Sequence, residues 1–140
     1  TWKLMKSLFS EEAFKRVRYL GKIPNERMNE YYSTASVCVF PSYAEAFPVT
    51  WLEAMAMGRA VVASDIGWAH EIIEDGVSGI LCNPSEHKKF AGHIIDILND
   101  NKLKTSLGNS ARSRVKENFS EEIIVEKTID FYKKVAERRL

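Results

Sequence analysis

Short apolar runs alternate along the chain with longer stretches in which apolar side chains recur at helical spacing. Each short run lies next to a Gly, Pro or Ser, and together they predict β-strands at Val17–Leu20, Val37–Phe40, Ala60–Ala63 and Gly79–Cys82. Because these runs are apolar instead of alternating, they are typical of parallel strands that are covered on both faces.

The longer stretches between these runs predict helices. One helix covers residues 25–35, with Asn25 as its N-cap. A second covers residues 48–57. Pro48 suits its first helical position, and the helix is expected to end before Gly58.

From Ser85 onward the chain is predicted to be helical throughout. Before the last strand, a short helix is expected at residues 69–74. The apolar faces of this tail are marked by Phe90, Ile94, Ile97 and Leu98, by Leu103, Leu107, Ala111 and Val115, and by Ile124, Ile129 and Phe131. The alternation of strands and helices predicts an α/β fold with a parallel sheet and a helical C-terminal tail.

The composition is that of a globular protein of one domain. The 140 residues are 45% hydrophobic and 28% charged, a mixture that excludes a disordered or collagen-like chain. Twenty Lys and Arg against nineteen Asp and Glu leave a net charge of +1, so no charge excess argues for a nucleic-acid partner. No apolar run approaches the ~18 residues that a membrane-spanning helix needs.

Cys38 and Cys82 each lie inside a short apolar run. Two cysteines do not make a disulfide framework. Neither has a His or Cys at metal-ligand spacing, so we interpret them as two buried thiols in a reducing compartment.

The stretch from Phe40 to Gly58 carries the candidate site. A predicted strand ends at Phe40, a loop follows, and a helix begins at Pro48. Open parallel sheets bind their ligands beyond the carboxyl ends of the strands, where loops lead into helix N-termini. Because Pro48 has no amide hydrogen, Val49 and Thr50 are expected to provide the free N–H donors of a phosphate site.

Two carboxylates flank this predicted phosphate site. Glu45 lies in the loop before the helix, and Glu53 lies about one turn inside it. Carboxylates accept hydrogen bonds from vicinal hydroxyls, so the arrangement suits a ligand that joins a sugar, a diphosphate and a ribose. Either acid alone is better explained as a solvated loop residue or as an acid favoured by the helix dipole. The pair in this strand–loop–helix context favours the ligand site.

The stretch resembles the Glu-x7-Glu signature of retaining glycosyltransferases of the GT-B fold, the glycosyl transferases group 1 family. Glu45 and Glu53 have seven residues between them. The resemblance covers about residues 17–120 and implies a Rossmann-like parallel sheet, the partial C-terminal domain of a GT-B glycosyltransferase. It extends to the segments Tyr19–Pro24, Ala60–Gly67, Glu71–Gly79, Ser106–Arg112 and Asn118–Ser120.

The resemblance implies a catalytic role for Glu45. This acid would approach the hydroxyls of the donor sugar and support the positive charge that develops at the anomeric carbon. The backbone of Ala46 and Phe47 would face the same sugar.

The resemblance also implies how the rest of the donor is bound. The amides of Val49 and Thr50 would hold the diphosphate, and Glu53 would bind the ribose hydroxyls. The loop at Lys22 and Ile23 would border the nucleobase. The family uses the nucleotide-diphosphate sugar as co-substrate and needs neither a cofactor nor a divalent metal, which fits the absence of an Asp-x-Asp pair from this sequence.

The activity that the resemblance implies is that of a hexosyltransferase of polysaccharide biosynthesis. It would transfer a sugar from a UDP- or GDP-sugar to an acceptor saccharide or glycolipid, with retention of the anomeric configuration. It is expected in the cytoplasm, or peripherally at the inner face of the membrane in the full-length protein. Two alternatives stay open, a non-catalytic α/β interaction module and a regulatory phosphate-binding domain.

The sequence departs from the family pattern in three places. Ala46 stands where Gly is commonest, so a positive φ there would be strained, and Trp68 stands where a second small residue is usual. Measured against the family pattern, we expect this chain to lack the first two strands of the family domain, their diphosphate clamp and the N-terminal acceptor domain. We therefore expect residues 1–120 to form a donor domain without its first strands. Residues 121–140 would form a helix that crosses back to the absent domain, and the chain alone is expected to be inactive.

The missing strands lead to a hypothesis about the sheet. In a doubly wound sheet of order 3-2-1-4-5-6, Val17–Leu20 would be the third strand and Val37–Phe40 the fourth. With the strands between them missing, we expect that these two strands pair directly or that the open edge pairs with another chain, giving self-association.

Overall fold

The computed structural model describes residues 2–138. Its parallel sheet has three strands, β1 (Val37–Phe40), β2 (Ala60–Ser64) and β3 (Ile80–Cys82), and β2 lies between the other two. The three predicted strands of this region are confirmed to within one residue at each end, and their parallel arrangement is confirmed as well.

Helices connect and cover the strands. Within the described residues they are α1 (Trp2–Ser7), α2 (Glu11–Phe14), a 3-10 turn (Asn25–Arg27), α3 (Met28–Thr34), α4 (Val49–Ala56), α5 (Ala69–Ile72), α6 (His87–Asn99), α7 (Asn101–Asn118) and α8 (Glu121–Glu137). The predicted α/β fold with a helical tail is confirmed.

The strand predicted at Val17–Leu20 is wrong, because this segment has no regular secondary structure. Tyr19 is 58% exposed, and its ring stacks on that of Trp2 at a centroid distance of 4.1 Å. So short a strand is stable only when a neighbour supplies its ladder hydrogen bonds, and among residues 2–138 β1 pairs only with β2. Direct pairing of the segment with β1 is therefore also wrong, whereas pairing of the open edge with another chain stays a prediction.

The helix predicted at residues 25–35 is confirmed apart from its first turn, which is a 3-10 turn. Pro24 precedes this turn with an extended backbone (φ −59°, ψ 142°), and Asn25 already lies inside it, so the prediction of Asn25 as the N-cap is wrong. The proline ring holds φ near −65°, which suits the residue at the start of a helix. The buried residue of α3 is Tyr32.

α4 begins one residue later than predicted, because Pro48 occupies the N-cap position. At the other end Gly58 follows the helix with φ +65°. The amide of Gly58 bonds to the carbonyl of Met55 at 2.9 Å, and the amide of Arg59 bonds to the carbonyl of Ala54 at 3.1 Å. This pair of bonds is a Schellman motif, whose glycine adopts the left-handed conformation that other residues avoid.

Two apolar clusters cover the two faces of the sheet. Val61 and Ala63 of β2 pack in one cluster with residues of α3, α4 and α5, whereas Ala60 and Val62 pack in the other with residues of α6 and α7. Every residue of β2 is buried. Coverage on both faces is the reason that four of its five residues, Ala60–Ala63, are apolar.

The C-terminal helices differ in how much they bury. Phe90 and Ile97 of α6 and Leu107 of α7 are in the core, whereas α8 buries no residue. The apolar side chains that α8 leaves exposed are Ile124, Val125, Ile129, Phe131 and Tyr132. Within residues 2–138, no helix combines the length and the apolar character that crossing a bilayer requires.

Candidate functional site

The carboxyl ends of the three strands lie at one edge of the sheet, where β1 leads through residues 41–48 into α4. Two hydrogen bonds connect these ends. The buried hydroxyl of Ser64 donates to the carbonyl of Phe40 at 3.2 Å, and the amide of Asp65 donates to the carbonyl of Cys82 at 2.9 Å. Open parallel sheets bind ligands at this edge, and the predicted site residues of the loop and of α4 follow directly from it.

The N-terminus of α4 is open to solvent. Val49 is 57% exposed, and Thr50 is exposed as well. As the first two helical residues, they carry amides that have no acceptor inside the helix, and Pro48 makes no side-chain cap hydrogen bond. The amide of Trp51 already bonds to the carbonyl of Pro48 at 3.0 Å. Two N–H groups at the positive end of the helix dipole are thus left to bind an anion.

Glu45 is half-buried in the loop of residues 41–48 before α4, which we call the acidic loop, and the loop that follows β2 runs against it. A Cβ atom on Gly67 would lie 3.4 Å from the carbonyl oxygen of Glu45, and Gly67 has φ +51°. A side chain at this position would strain the backbone and press on the Glu45 carbonyl. The neighbouring Trp68 is 59% exposed, so its ring lies at the surface.

Ala46 does not need a left-handed backbone. Within residues 2–138, no residue other than glycine has a positive φ, so the strain predicted for an alanine at this position does not arise. Phe47 is 51% exposed, and its ring lies 6.3 Å from that of Phe119, which follows α7. The end of the acidic loop that leads into α4 therefore contacts the C-terminal helical region.

Polar side-chain contacts hold two of the connections at this edge of the sheet. The hydroxyl of Tyr43 lies 3.3 Å from Nε2 of His87 and donates to the carbonyl of Pro84 at 3.4 Å. In the loop after β2, Nε2 of His70 lies 2.8 Å from a carboxylate oxygen of Asp65, and both side chains are exposed. The first contact joins the acidic loop to the start of α6, and the second closes the loop between β2 and α5.

Glu53 is half-buried on α4 and accepts a hydrogen bond from the hydroxyl of Tyr32, with an oxygen–oxygen distance of 3.2 Å. Tyr32 is only 6% exposed. Its burial and the negative charge of Glu53 raise the pKa of Tyr32 to about 12, so near neutral pH the phenol stays protonated and acts as the donor. Tyr32 is not among the site residues that the sequence predicts. No local sequence signal couples two residues that are 21 positions apart.

Lys22 and Ile23 lie between Gly21 and the 3-10 turn that leads into α3. Lys22 is exposed and Ile23 is half-buried. The segment leads through the 3-10 turn into α3, the helix that carries Tyr32. Tyr32 in turn donates a hydrogen bond to Glu53. Its predicted position beside a nucleobase stays a prediction.

Cys38 and Cys82 are free and buried, as predicted. Burial raises the pKa of the Cys38 thiol, which favours its unreactive neutral form. In the part of the chain that the structure describes, no group of three or more His, Cys, Asp or Glu side chains could hold a metal ion.

Comparison with known families identifies the domain to which this site belongs. Residues 3–114 match the family described as Glycosyl transferases group 1. The chain belongs to the glycosyl transferases group 1 family. The family assignment that the Glu-x7-Glu motif predicted is therefore confirmed.

Several group 1 glycosyltransferases and related structures are similar to the chain. It is 32% identical over 117 residues to the O-antigen chain mannosyltransferase B of Escherichia coli, an alignment that covers 84% of this chain and 30% of the mannosyltransferase. Sucrose-phosphate synthase from Thermosynechococcus elongatus is 33% identical with a TM-score of 0.87, over 97% of this chain and 34% of the synthase. A mutant of S. aureus TarM, solved with fondaparinux, alpha-GlcNAc-glycerol and UDP, is 28% identical with a TM-score of 0.70, over 74% of this chain and 21% of TarM.

The chain spans about a third of the length of these relatives. Over that third, its parallel sheet and surrounding helices have the fold of GT-B C-terminal domains. The fold prediction, a partial C-terminal domain of a GT-B glycosyltransferase, is thus confirmed.

Proposed function

We propose that this chain forms the donor-binding part of a retaining glycosyltransferase that transfers a sugar from a nucleotide-diphosphate sugar to an acceptor. The observation that carries the proposal is the open N-terminus of α4 between two acids, Glu45 in the loop before it and Glu53 on its side. Family membership makes sugar transfer the favoured activity. A non-catalytic interaction module or a regulatory phosphate binder needs neither acid, so these two alternatives are not favoured.

The diphosphate of the donor binds at the start of α4. The amides of Val49 and Thr50 donate to phosphate oxygens, and the helix dipole adds a favourable interaction with the negative charge. These contacts stabilise the leaving nucleoside diphosphate without a divalent metal. Glu53 accepts hydrogen bonds from the ribose hydroxyls with the carboxylate lone pairs that Tyr32 does not use.

The sugar of the donor lies beside the acidic loop. Its hydroxyls approach Glu45, and the backbone of Ala46 and Phe47 borders it. As the bond to the diphosphate breaks, positive charge develops at the anomeric carbon and the ring oxygen. The carboxylate of Glu45 stabilises that charge, and the acceptor takes the sugar with retention of the anomeric configuration.

The nucleobase, the nucleotide and the acceptor are assigned as follows. Lys22 and Ile23 border the nucleobase. UDP is the favoured nucleotide, because the TarM structure that resembles this chain holds UDP, and a GDP-sugar is the alternative. The similarity to an O-antigen mannosyltransferase favours an acceptor saccharide or glycolipid of polysaccharide biosynthesis. The reaction takes place in the cytoplasm, either in solution or at the inner face of the membrane.

Glu45→Gln tests the catalytic assignment in the full-length protein. We expect turnover to fall by roughly 100-fold or more, because the variant loses the charge that opposes the developing positive charge, while the affinity for UDP stays within about threefold since Glu45 does not touch the nucleotide. Steady-state kinetics and isothermal titration measure the two quantities. NMR of the product determines whether the anomeric configuration is retained.

Glu117→Gln, on the exposed surface of α7, is the matched control for loss of a carboxylate charge. Full turnover by Glu45→Gln would exclude the catalytic role of Glu45. A product of inverted configuration would exclude retention, but would leave the donor site itself in place.

A further inference from the structure

Tyr32 and Glu53 form a hydrogen bond between two helices beside the candidate site. Tyr32 lies on α3 and Glu53 on α4, and the phenol donates to Oε2 of the carboxylate at 3.2 Å. The Tyr32 ring is 6% exposed and belongs to the core cluster that also contains Trp51 and Met55. Core packing therefore restricts the ring to one orientation, and with it the hydroxyl.

This bond leaves Glu53 with a defined set of free acceptors. An ionised carboxylate has two oxygens and about four lone-pair positions. Tyr32 uses one position on Oε2, so Oε1 and the remaining positions can accept from a ligand. Glu53 is half-buried, so part of its surface is accessible from outside.

The direction of the hydrogen bond is fixed by the chemistry of its two partners. A carboxylate without a proton can only accept, and a protonated phenol can donate only one hydrogen. The raised pKa of Tyr32 keeps the phenol in that donor form over the whole neutral range. Tyr32 is thus a buried hydrogen-bond donor to Glu53, and the other acceptor positions of the carboxylate are left for other partners.

We propose that Tyr32 is a positioning residue, which holds the Glu53 carboxylate in the one orientation that accepts both hydroxyls of a ribose and so makes the site selective for ribonucleotides over 2′-deoxyribonucleotides. This inference rests on the proposed function of Glu53. Without the Tyr32 hydroxyl, the Glu53 side chain adopts several rotamers, and only a fraction of them faces both hydroxyls.

The test compares UDP with 2′-deoxy-UDP, and GDP with 2′-deoxy-GDP, by isothermal titration on the full-length protein. For the wild-type protein we expect the ribonucleotide of the preferred base to bind roughly 10-fold to 100-fold more tightly than its deoxy form, the usual effect of one hydrogen bond to a charged group. For Tyr32→Phe we expect this ratio to fall to about threefold or less, since the loss affects the ribonucleotide most.

Tyr31→Phe is the matched control, because it removes a phenol from the neighbouring position of the same helix, and Tyr31 is more exposed than Tyr32. It should keep the wild-type ratio. A merely structural role of Tyr32 would lower the melting temperature of Tyr32→Phe and leave its ratio unchanged, and that result would overturn the inference.

The outcomes separate the inference from the function on which it rests. If the wild-type protein binds a ribonucleotide and its 2′-deoxy form equally, or binds no nucleotide at all, Glu53 does not bind the ribose and the inference fails with it. A wild-type preference that Tyr32→Phe retains overturns the inference alone. If Tyr32→Phe does not fold, Tyr32→Leu replaces it. This variant also lacks the hydroxyl and leaves Glu53 unchanged, and a wild-type ratio in it would equally overturn the proposal.

Discussion

Tyr32 retains its proton to high pH because of the position of its side chain. Burial disfavours the phenolate, and the Glu53 carboxylate at 3.2 Å disfavours it further, so the pKa rises from 10.0 to about 12. In the unfolded chain the pKa returns to about 10. Between these two values the folded protein therefore binds the Tyr32 proton more tightly than the unfolded chain does.

We expect this difference to appear as a loss of stability at alkaline pH. The contribution of Tyr32 is present in full below about pH 10 and is lost as the pH rises towards about 12, because the unfolded chain then releases a proton that the folded protein still holds. Urea unfolding of the wild-type protein and of Tyr32→Phe between about pH 8 and 11.5 measures the free energy of unfolding at each pH. This free energy should fall more steeply with pH in the wild-type protein than in the variant. Tyr31→Phe serves as the control, and parallel slopes for wild type and Tyr32→Phe would contradict the prediction.

α4 and α7 approach each other so closely that only glycine fits where they meet. A Cβ atom on Gly108 of α7 would collide with the carbonyl oxygen of Gly58, which ends α4. Gly58 is itself held by the Schellman motif. The contact sets the position of the C-terminal end of α4, and because the helix is rigid, it also helps to set the N-terminal end at which Val49 and Thr50 lie.

Two helical glycines offer a matched pair for testing this contact. We expect Gly108→Ala to lower the free energy of unfolding by about 1–3 kcal/mol, because its methyl group overpacks the helix crossing. Gly92→Ala in α6, where a Cβ atom meets nothing within 4 Å, should raise it by about 0.5–1 kcal/mol through helix propensity. Urea unfolding measures the free energy of unfolding of both variants. A similar increase in this free energy for Gly108→Ala and Gly92→Ala would show that the helix crossing is not tight.

On the scale of the whole molecule, the sheet has an open edge with an apolar surface beside it. In the described part of the chain, β1 pairs on one side only. Val39 on this strand is 36% exposed, and beside it lies a cavity of about 250 Å³ whose lining includes Pro41, Phe90 and Ile94. Unpaired strand edges with apolar surroundings are sites at which another chain can pair.

We therefore expect the 140-residue chain to self-associate through β1. Val39→Lys should reduce the association, since a lysine on an edge strand opposes pairing. Size-exclusion chromatography with light scattering over a range of concentrations measures the mass. Val77→Lys, at a loop residue that is 47% exposed, is the control for added charge. A wild-type chain that stays monomeric at every concentration, or an equal mass for both variants, would contradict the prediction.

Features that depend on residues close together in the chain were predictable without a structure. Apolar runs located β1, β2 and β3, because the strands of a parallel sheet that helices cover are rich in apolar side chains. Gly58 marked the end of α4, because a Schellman motif needs a residue that tolerates a positive φ. The spacing of Glu45 and Glu53 around a helix start identified the family, since the geometry of the loop and the first helical turn is local.

Features that depend on distant partners required the folded chain. Val17–Leu20 has strand-like residues but no neighbour to supply ladder hydrogen bonds, so it is not a strand. The approach of Gly67 to the Glu45 carbonyl and the hydrogen bond from Tyr32 to Glu53 join segments that the packing of helices on the sheet brings together. A local sequence pattern indicates which positions are buried. Which side chains contact one another in the core depends on how the helices and strands pack.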